Sequence, residues 1–286
     1  MKKFFCIFLT SLLVGHCIAQ TDSAVLEKVF GRKGTVQGSV FKITFPRSDL
    51  NVIIKDFVVS PGLAFTSWIG FMKMGNETMM MGDLVMLDSE EPAVIAKLVS
   101  LKLNITAIHN HLVNEKPAIK YLHFSGSGDA QQLGEEIKSV IALTGTPLST
   151  PPATLITPAI DWSKVETLLG TKGKHNGILL QYSFPRNEKL LESGMEMPPA
   201  IGMATAINFQ MSGTEAAITG DFVLLAKEVN PVVKALTENG ITVTAIHNHM
   251  LFDDPRLFML HFWAVDDPGK LAAGLKTALD QTNSKR

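Results

Sequence analysis

"TAIHNHLVNEKPAIKYLHF", Thr106 to Phe124, returns later in the chain as "TAIHNHMLFDDPRLFMLHF", Thr244 to Phe262. His109, His111 and His123 meet His247, His249 and His261 at a constant offset of 138 residues. Over residues 105 to 124 the copies agree at 10 of 20 positions, but over 61 to 81 at only 5 of 21, so the histidines were kept while their surroundings drifted. Successive side chains on a strand point to opposite faces, so His109 and His111 project together and Asn110 away. A reversal centred near residue 116, carried by "NEKP", sets position 109 opposite 123. In the second copy "DDP" places the reversal near Asp254 and gathers His247, His249 and His261.

Three imidazoles on one rigid face suit a divalent transition metal, zinc first and copper second, with a coordination position left for water or substrate. The competing reading is that they are half-buried strand residues inherited from one duplicated ancestor. Only His175 stands outside the two triads once an export signal is removed.

The repeat extends well beyond this motif. "FPR" at Phe45 returns at Phe184, "GD" at Gly82 returns at Gly220, and "GRKG" at Gly31 returns as "GTKG" at Gly170. Two repeats are therefore expected, over 20–146 and 161–286, joined by a Pro/Thr-rich linker over 147–160. Each repeat reads as a short helix closed by glycine, then strands in "GSVFKITF", "GLAFTSWIGFMKM" and "MMMGDLVML". The last of these is too uniformly apolar to show which face is buried. A helix with proline at its first turn follows, in "PAVIAKLVSLK" or "NPVVKALTENG", then the histidine hairpin and a final helix. The strand-helix-strand-strand-helix order predicts an α+β fold with helices on one face of an antiparallel or mixed sheet.

At the N-terminus, Lys2 and Lys3, an apolar run and "CIAQ" read as an export signal over 1–19, cut near Ala19–Gln20. Cys17 invites lipid attachment, but His16 stands where a small residue is normal, so a periplasmic or secreted protein is the expectation. Cys6 and Cys17 both fall at or before the cut, which leaves no thiol for a disulfide, nucleophile or metal site. Losing Lys2 and Lys3 leaves 24 basic against 27 acidic residues, a balance that gives no sign of a nucleic-acid or anionic-membrane surface. No later stretch is long and apolar enough to span a bilayer.

Further candidates come in pairs. Asp83 and Asp221 follow glycine at the head of a strand, where a carboxylate can orient an imidazole, complete a metal site, act as a base, or hold turn amides. Arg47 and Arg186 end a strand, placed to hold a carboxylate or phosphate or to make a structural pair. Glu77 and Glu215 mark a hairpin turn, and Asn110 and Asn248 pin the histidine strand to a neighbouring loop. Met79, Met80 and Met81 raise copper(I), but Ala217, Ile218 and Thr219 replace them in the other copy, which favours core filling.

The run from Gly220 to Leu279, with Gly-Asp, His-x-His, Pro and Leu-His in order, resembles the LppY/LpqO-type family of exported bacterial proteins, domain of unknown function 1259, and the first repeat carries the pattern more loosely. The resemblance implies export and a motif, and no reaction. Two readings stand together at this point. In one, each repeat binds a metal ion through its own triad, with storage or water-activating hydrolysis as the use, Asp83 and Asp221 as bases and Arg47 and Arg186 on an anionic substrate. In the other, a metal-free pair of domains clamps a small envelope ligand or a partner protein.

Overall fold

The computed structural model describes residues 18–149 and 160–286. The expected export signal, with Cys6 and Cys17, and most of the expected linker lie outside the described residues, apart from the first helix, which already begins at Ile18.

Repeat 1 runs α1 (Ile18–Phe30), β1 (Thr35–Gln37), β2 (Val40–Pro46), β3 (Val52–Ile54), β4 (Phe57–Val59), β5 (Thr66–Met74), β6 (Glu77–Leu87), α2 (Glu91–Ser100), β7 (Asn104–His109), β8 (Glu115–Lys116), β9 (Ile119–Gly128) and α3 (Ala130–Ile141). Repeat 2 follows the same course. It has α4 (Ser163–Leu169), β10 (Lys174–Asn176), β11 (Leu179–Pro185), β12 (Leu191–Glu192), β13 (Met195–Glu196), β14 (Ala204–Ser212), β15 (Glu215–Leu225), α5 (Ala226–Glu238), β16 (Thr242–His247), β17 (Asp253–Asp254), β18 (Leu257–Asp266) and α6 (Pro268–Leu279). Each repeat builds a six-stranded antiparallel sheet, β1-β2-β5-β6-β9-β7 and β10-β11-β14-β15-β18-β16. The α+β class is as expected, and β9 inserts between β6 and β7 as the split arrangement requires.

Local chemistry explains the boundaries. Gly31 and Gly170 end the first helices at φ +68° and +77°, a left-handed conformation open to glycine. Asp129 and Asp267 cap the final helices by accepting from the Gln132 and Lys270 amides. Gly75-Asn76 turns β5 into β6, so Glu77 stands at a hairpin turn as expected, and Glu215 matches it after Gly213. Repeat 2 corrects one expectation: α5 starts at Ala226, so Pro231 lies inside the helix and not in its first turn. Ala226 and Lys227 are good helix formers, whereas Asp88 and Ser89 at the same place in repeat 1 favour a turn.

The uniform apolarity of β6 has a simple cause: both its faces are buried. Met80, Leu84 and Met86 face a core shared with α1, α2 and α3. Met79, Met81 and Val85 point the other way and pack against repeat 2, beside Met259 and Met203 on one side and Leu179 and Trp263 on the other. The methionine run is therefore core filling. The helix-free faces of the two sheets pack on one another, helices outside. Asp83 lies between Met81 and Val85 on that inner face, in mid-strand and not at a strand head.

Candidate metal centre between the repeats

Why does Gly precede Asp in both copies? A Cβ on Gly82 would collide with the Trp68 carbonyl and stand 2.9 Å from the Phe124 ring, and Gly220 is boxed in by the Ala206 carbonyl and Phe262 in the same way. The close strand approach that glycine permits leaves its carbonyl to accept from His123 Nδ1 at 3.2 Å, and from His261 Nδ1 at 2.6 Å in repeat 2. Asp83 sits directly opposite His123, and Asp221 opposite His261, so carboxylate and ring share the inner face.

The hairpin register differs from expectation by two residues. His109 lies opposite Tyr121 and His123 opposite Ala107, because Glu115–Lys116 pair outward with β3 and widen the connection. A shift of two preserves the face. The strand ends at His109, yet His111 in the following bend brings its Nε2 to 3.1 Å from His109 Nε2.

Tertiary packing then joins the two triads into one cluster. The His109 and His247 rings stack at 3.7 Å between centroids, and the symmetry-related pairs His111–His261 and His123–His249 lie at 3.9 and 4.0 Å. A local twofold relates the halves. It is held by the Thr106 hydroxyl donating to the His249 carbonyl and the Thr244 hydroxyl donating to the His111 carbonyl, each at 2.7 Å. Asn248 donates to the Thr106 carbonyl at 2.9 Å, so it pins its strand to the other repeat, while Asn110 accepts from Lys120.

Three groups of ligand atoms lie within 4.8 Å of one another: His109, His111 and His261; His109, His123 and His247; Asp221, His247 and His261. Neither single-repeat triad is among them, and the two all-histidine groups cross the interface. These residues fit a cation on the chemistry of their donors. The Nδ1 atoms of His123, His247 and His261 lie 2.6–3.2 Å from backbone carbonyls, which only accept, so each neutral ring donates there and turns a bare Nε2 lone pair inward; His249 Nδ1 meets the Gly202 carbonyl at 3.2 Å. Nε2 of His123, His247 and His261, with Oδ1 of Asp83 and Asp221, is buried without a hydrogen-bond partner. His249 Nε2 lies 2.9 Å from Asp221 Oδ2, a contact that either a second proton on the ring or a shared cation makes attractive. Such contacts repel unless a positive charge stands among them. Two nitrogens bound to one zinc at about 2.0–2.1 Å are themselves roughly 3 Å apart, the spacing of His109 and His111.

Burial pushes the imidazoles of His111 and His261 down to about 3 and that of His247 to about 2; His109 and His123 move the same way through burial and neighbouring rings. All five are neutral at neutral pH, the form that ligates metal. Burial lifts the Asp83 carboxyl to about 8, with His249 opposing and Asp221 reinforcing it. Burial also works on Asp221, but the rings of His261 and His249 prevail and hold it below the usual carboxylate range.

A cleft of about 1000 Å³ opens onto the cluster, floored by Asp83, His111, His123, Asp221, His249 and His261, with His109 and His247 stacked behind them. Arg47 and Arg186 are not in it. Both are fully enclosed and spend their guanidinium donors on Asp49, Glu90 and the Val85 carbonyl, or on Glu188, Glu228 and the Val223 carbonyl, at 2.7–3.3 Å. They are struts within each repeat, which corrects the expectation that they hold a substrate. An acidic partner two residues downstream in both copies is the sequence signal of that role.

Sequence reasoning missed three residues beside the centre, two of them in the cleft wall, because none is repeated. Tyr121, where repeat 2 has Met259, stacks on His111 at 3.5 Å. Trp68 and Lys42 stand where repeat 2 has Ala206 and Gln181, and the Lys42 ammonium lies 3.9 Å over the Trp68 ring. Burial brings that ammonium down to about 8, with Asp83 opposing.

No curated protein matches this chain. One solved structure, a trimeric bacterial microcompartment shell protein PduB, aligns over 87% of this chain and 89% of its own at 12% identity, but a TM-score of 0.21 carries no argument about fold or role. The family described as Domain of Unknown Function (DUF1259) matches residues 24–143 and again 163–281, and the chain belongs to that family as two tandem copies.

Proposed function

We propose that the two repeats jointly hold one divalent transition metal, zinc first and copper second, in a centre built across their interface. The observation that supports it is the set of inward, unpartnered Nε2 lone pairs beside Asp83 and Asp221. Any two of the three candidate groups share a ring, so with one ion per ring a single group is filled at a time. The reading is thus one ion per chain, in place of one per repeat.

A bound ion would supply Lewis acidity and lower the pKa of a coordinated water to about 7. The chain's own residues fit hydrolysis on the cleft side, where the Asp83 and Asp221 carboxyls stand on the floor beside the histidines as candidates to carry a proton. Export to the periplasm or outside, with the LppY/LpqO-type resemblance, belongs to the same proposal.

Elemental analysis of protein purified without added metal tests it. About one equivalent is expected, lost in the double variant His109→Ala, His247→Ala, which breaks all three groups. Finding none, together with a melting temperature indifferent to zinc, copper and chelator, sinks the metal centre and leaves a metal-free binding module, which the cleft would then serve.

A further inference from the structure

We infer that the cleft takes a small oxyanion-bearing ligand, gripped by Lys42 from the repeat 1 wall and by Lys172 and Lys174 from the repeat 2 wall. The inference names the ligand class of the proposed metal site and rests on that reading for the cleft floor, while the walls carry their own evidence.

The first observation is charge. The full chain has formal net charge −1, yet Lys42, Lys172, Lys174, Lys285 and Arg286 all line this one cleft, and the acidic residues lining it are Asp83 and Asp221 on its floor. Arg286 is paired with Asp280 at 2.9 Å. Lys42 donates to the Ala200 carbonyl, at 3.4 Å, and lies over the Trp68 ring, with no ion pair among the described residues. No ion pair engages Lys172, Lys174 or Lys285 among those residues either. Cations lining a concave low-dielectric wall attract and concentrate anions.

The second observation is asymmetry. A ligand approaching a twofold centre meets two equivalent walls unless the sequence makes them differ. Here repeat 1 fills its wall with Trp68 and lays Lys42 across it, while repeat 2 has Ala206 and Gln181 at those places. Gln181 turns to Asn208 and the Gly62 carbonyl, and Ala206 leaves room. The edge of the Trp68 ring closes on Gly202, whose carbonyl accepts from His249 Nδ1, so Trp68 and Lys42 are packed against the centre itself. The small Ala206 makes space on one side for the body of a ligand, and the Lys42–Trp68 pair puts a fixed positive charge on the other. The volume, about 1000 Å³, is at the upper end of what small-molecule sites use.

Titration calorimetry with inorganic phosphate and with citrate, on zinc-loaded and on chelator-treated protein, tests this. Trp68 fluorescence is a second readout, since Trp162 and Trp263 are buried away from the cleft. One or both anions should bind the two forms, more weakly as salt is raised. Lys42→Gln, which installs the residue repeat 2 uses, should raise Kd roughly tenfold or more, and the exposed Lys174→Ala by less, with melting temperatures unchanged. Which anion binds distinguishes phosphate from carboxylate ligands. Undiminished binding in both variants, or none to either form of the parent, overturns the inference. Lys42-dependent binding in a protein that takes up no metal would sustain it while refuting the metal centre, and metal uptake without anion binding would do the reverse.

Discussion

Each repeat buries two polar clusters, and they are solved in opposite ways. Around Arg47 and Arg186 the donors meet carboxylates and a carbonyl of the same repeat, and the cluster is closed. Around the histidines the partners come from both repeats, and lone pairs are left facing one another. Buried polar groups are tolerated when satisfied, so the arginine cluster is explained by the fold alone, whereas the histidine cluster is complete only with something the chain does not supply.

The largest effect should come from opening the closed cluster. Arg186→Ala leaves Glu228, 5% exposed, without its partner, and a loss of about 3–5 kcal/mol is expected in denaturant unfolding, with metal uptake per folded molecule unchanged. A parallel fall in metal content would show that the clusters are not independent.

The open cluster should respond to a cation by gaining stability. Zinc at a hundred times its Kd should add about 2.7 kcal/mol to the parent. His261→Leu removes a member of two of the three groups and should cut that gain to what His109, His123 and His247 alone can hold, while His109→Ala with His247→Ala, which breaks all three, should abolish it. Without metal His261→Leu should lie within about 1 kcal/mol of the parent, because a repelling lone pair is removed as an apolar side chain fills the space. A large destabilisation of the metal-free variant would mean that the rings stabilise the fold themselves.

Acid sharpens the contrast. The folded-state pKa of His261 is depressed to about 3, so between an unfolded value of about 6.5 and that point the unfolded chain binds the extra proton. Stability is therefore full above about pH 6.5 and falls with acidification, by up to about 1.4 kcal/mol per pH unit from this ring alone. Chelator-treated protein melted across that range should show the loss, and His261→Leu should make the fall shallower by this one ring's share, since His111 and His247 are depressed in the same way. Asp83 runs the other way: its pKa is raised to about 8, so its contribution is lost as pH rises.

The smallest effect is the most discriminating between halves. Asp83 is largely protonated at neutral pH, so Asp83→Asn should change metal-free stability by less than about 1 kcal/mol. Asp221→Asn should instead weaken zinc binding clearly, since Asp221 is ionised and belongs to a ligand group. Equal effects from the two would restore a symmetric centre.

The sequence by itself determined the duplication, the order of elements in each repeat and the face the histidines occupy, because these follow from periodicities of two and 3.6 residues and from a fixed offset. It also marked Gly-Asp as a unit, though not that glycine admits the neighbouring strand. It could not assign β6 a buried face, since a strand covered on both sides has no alternation to read. Arg47 and Arg186 stayed open between a ligand and a structural pair because a strand-end guanidinium looks the same whether its partner is a ligand or Glu90. What only the tertiary structure decided is that the triads do not act separately. Ligand groups form where rings approach within a few ångströms, and that distance is set by how the two sheets pack face to face, a relation between residues 138 positions apart that no local pattern encodes.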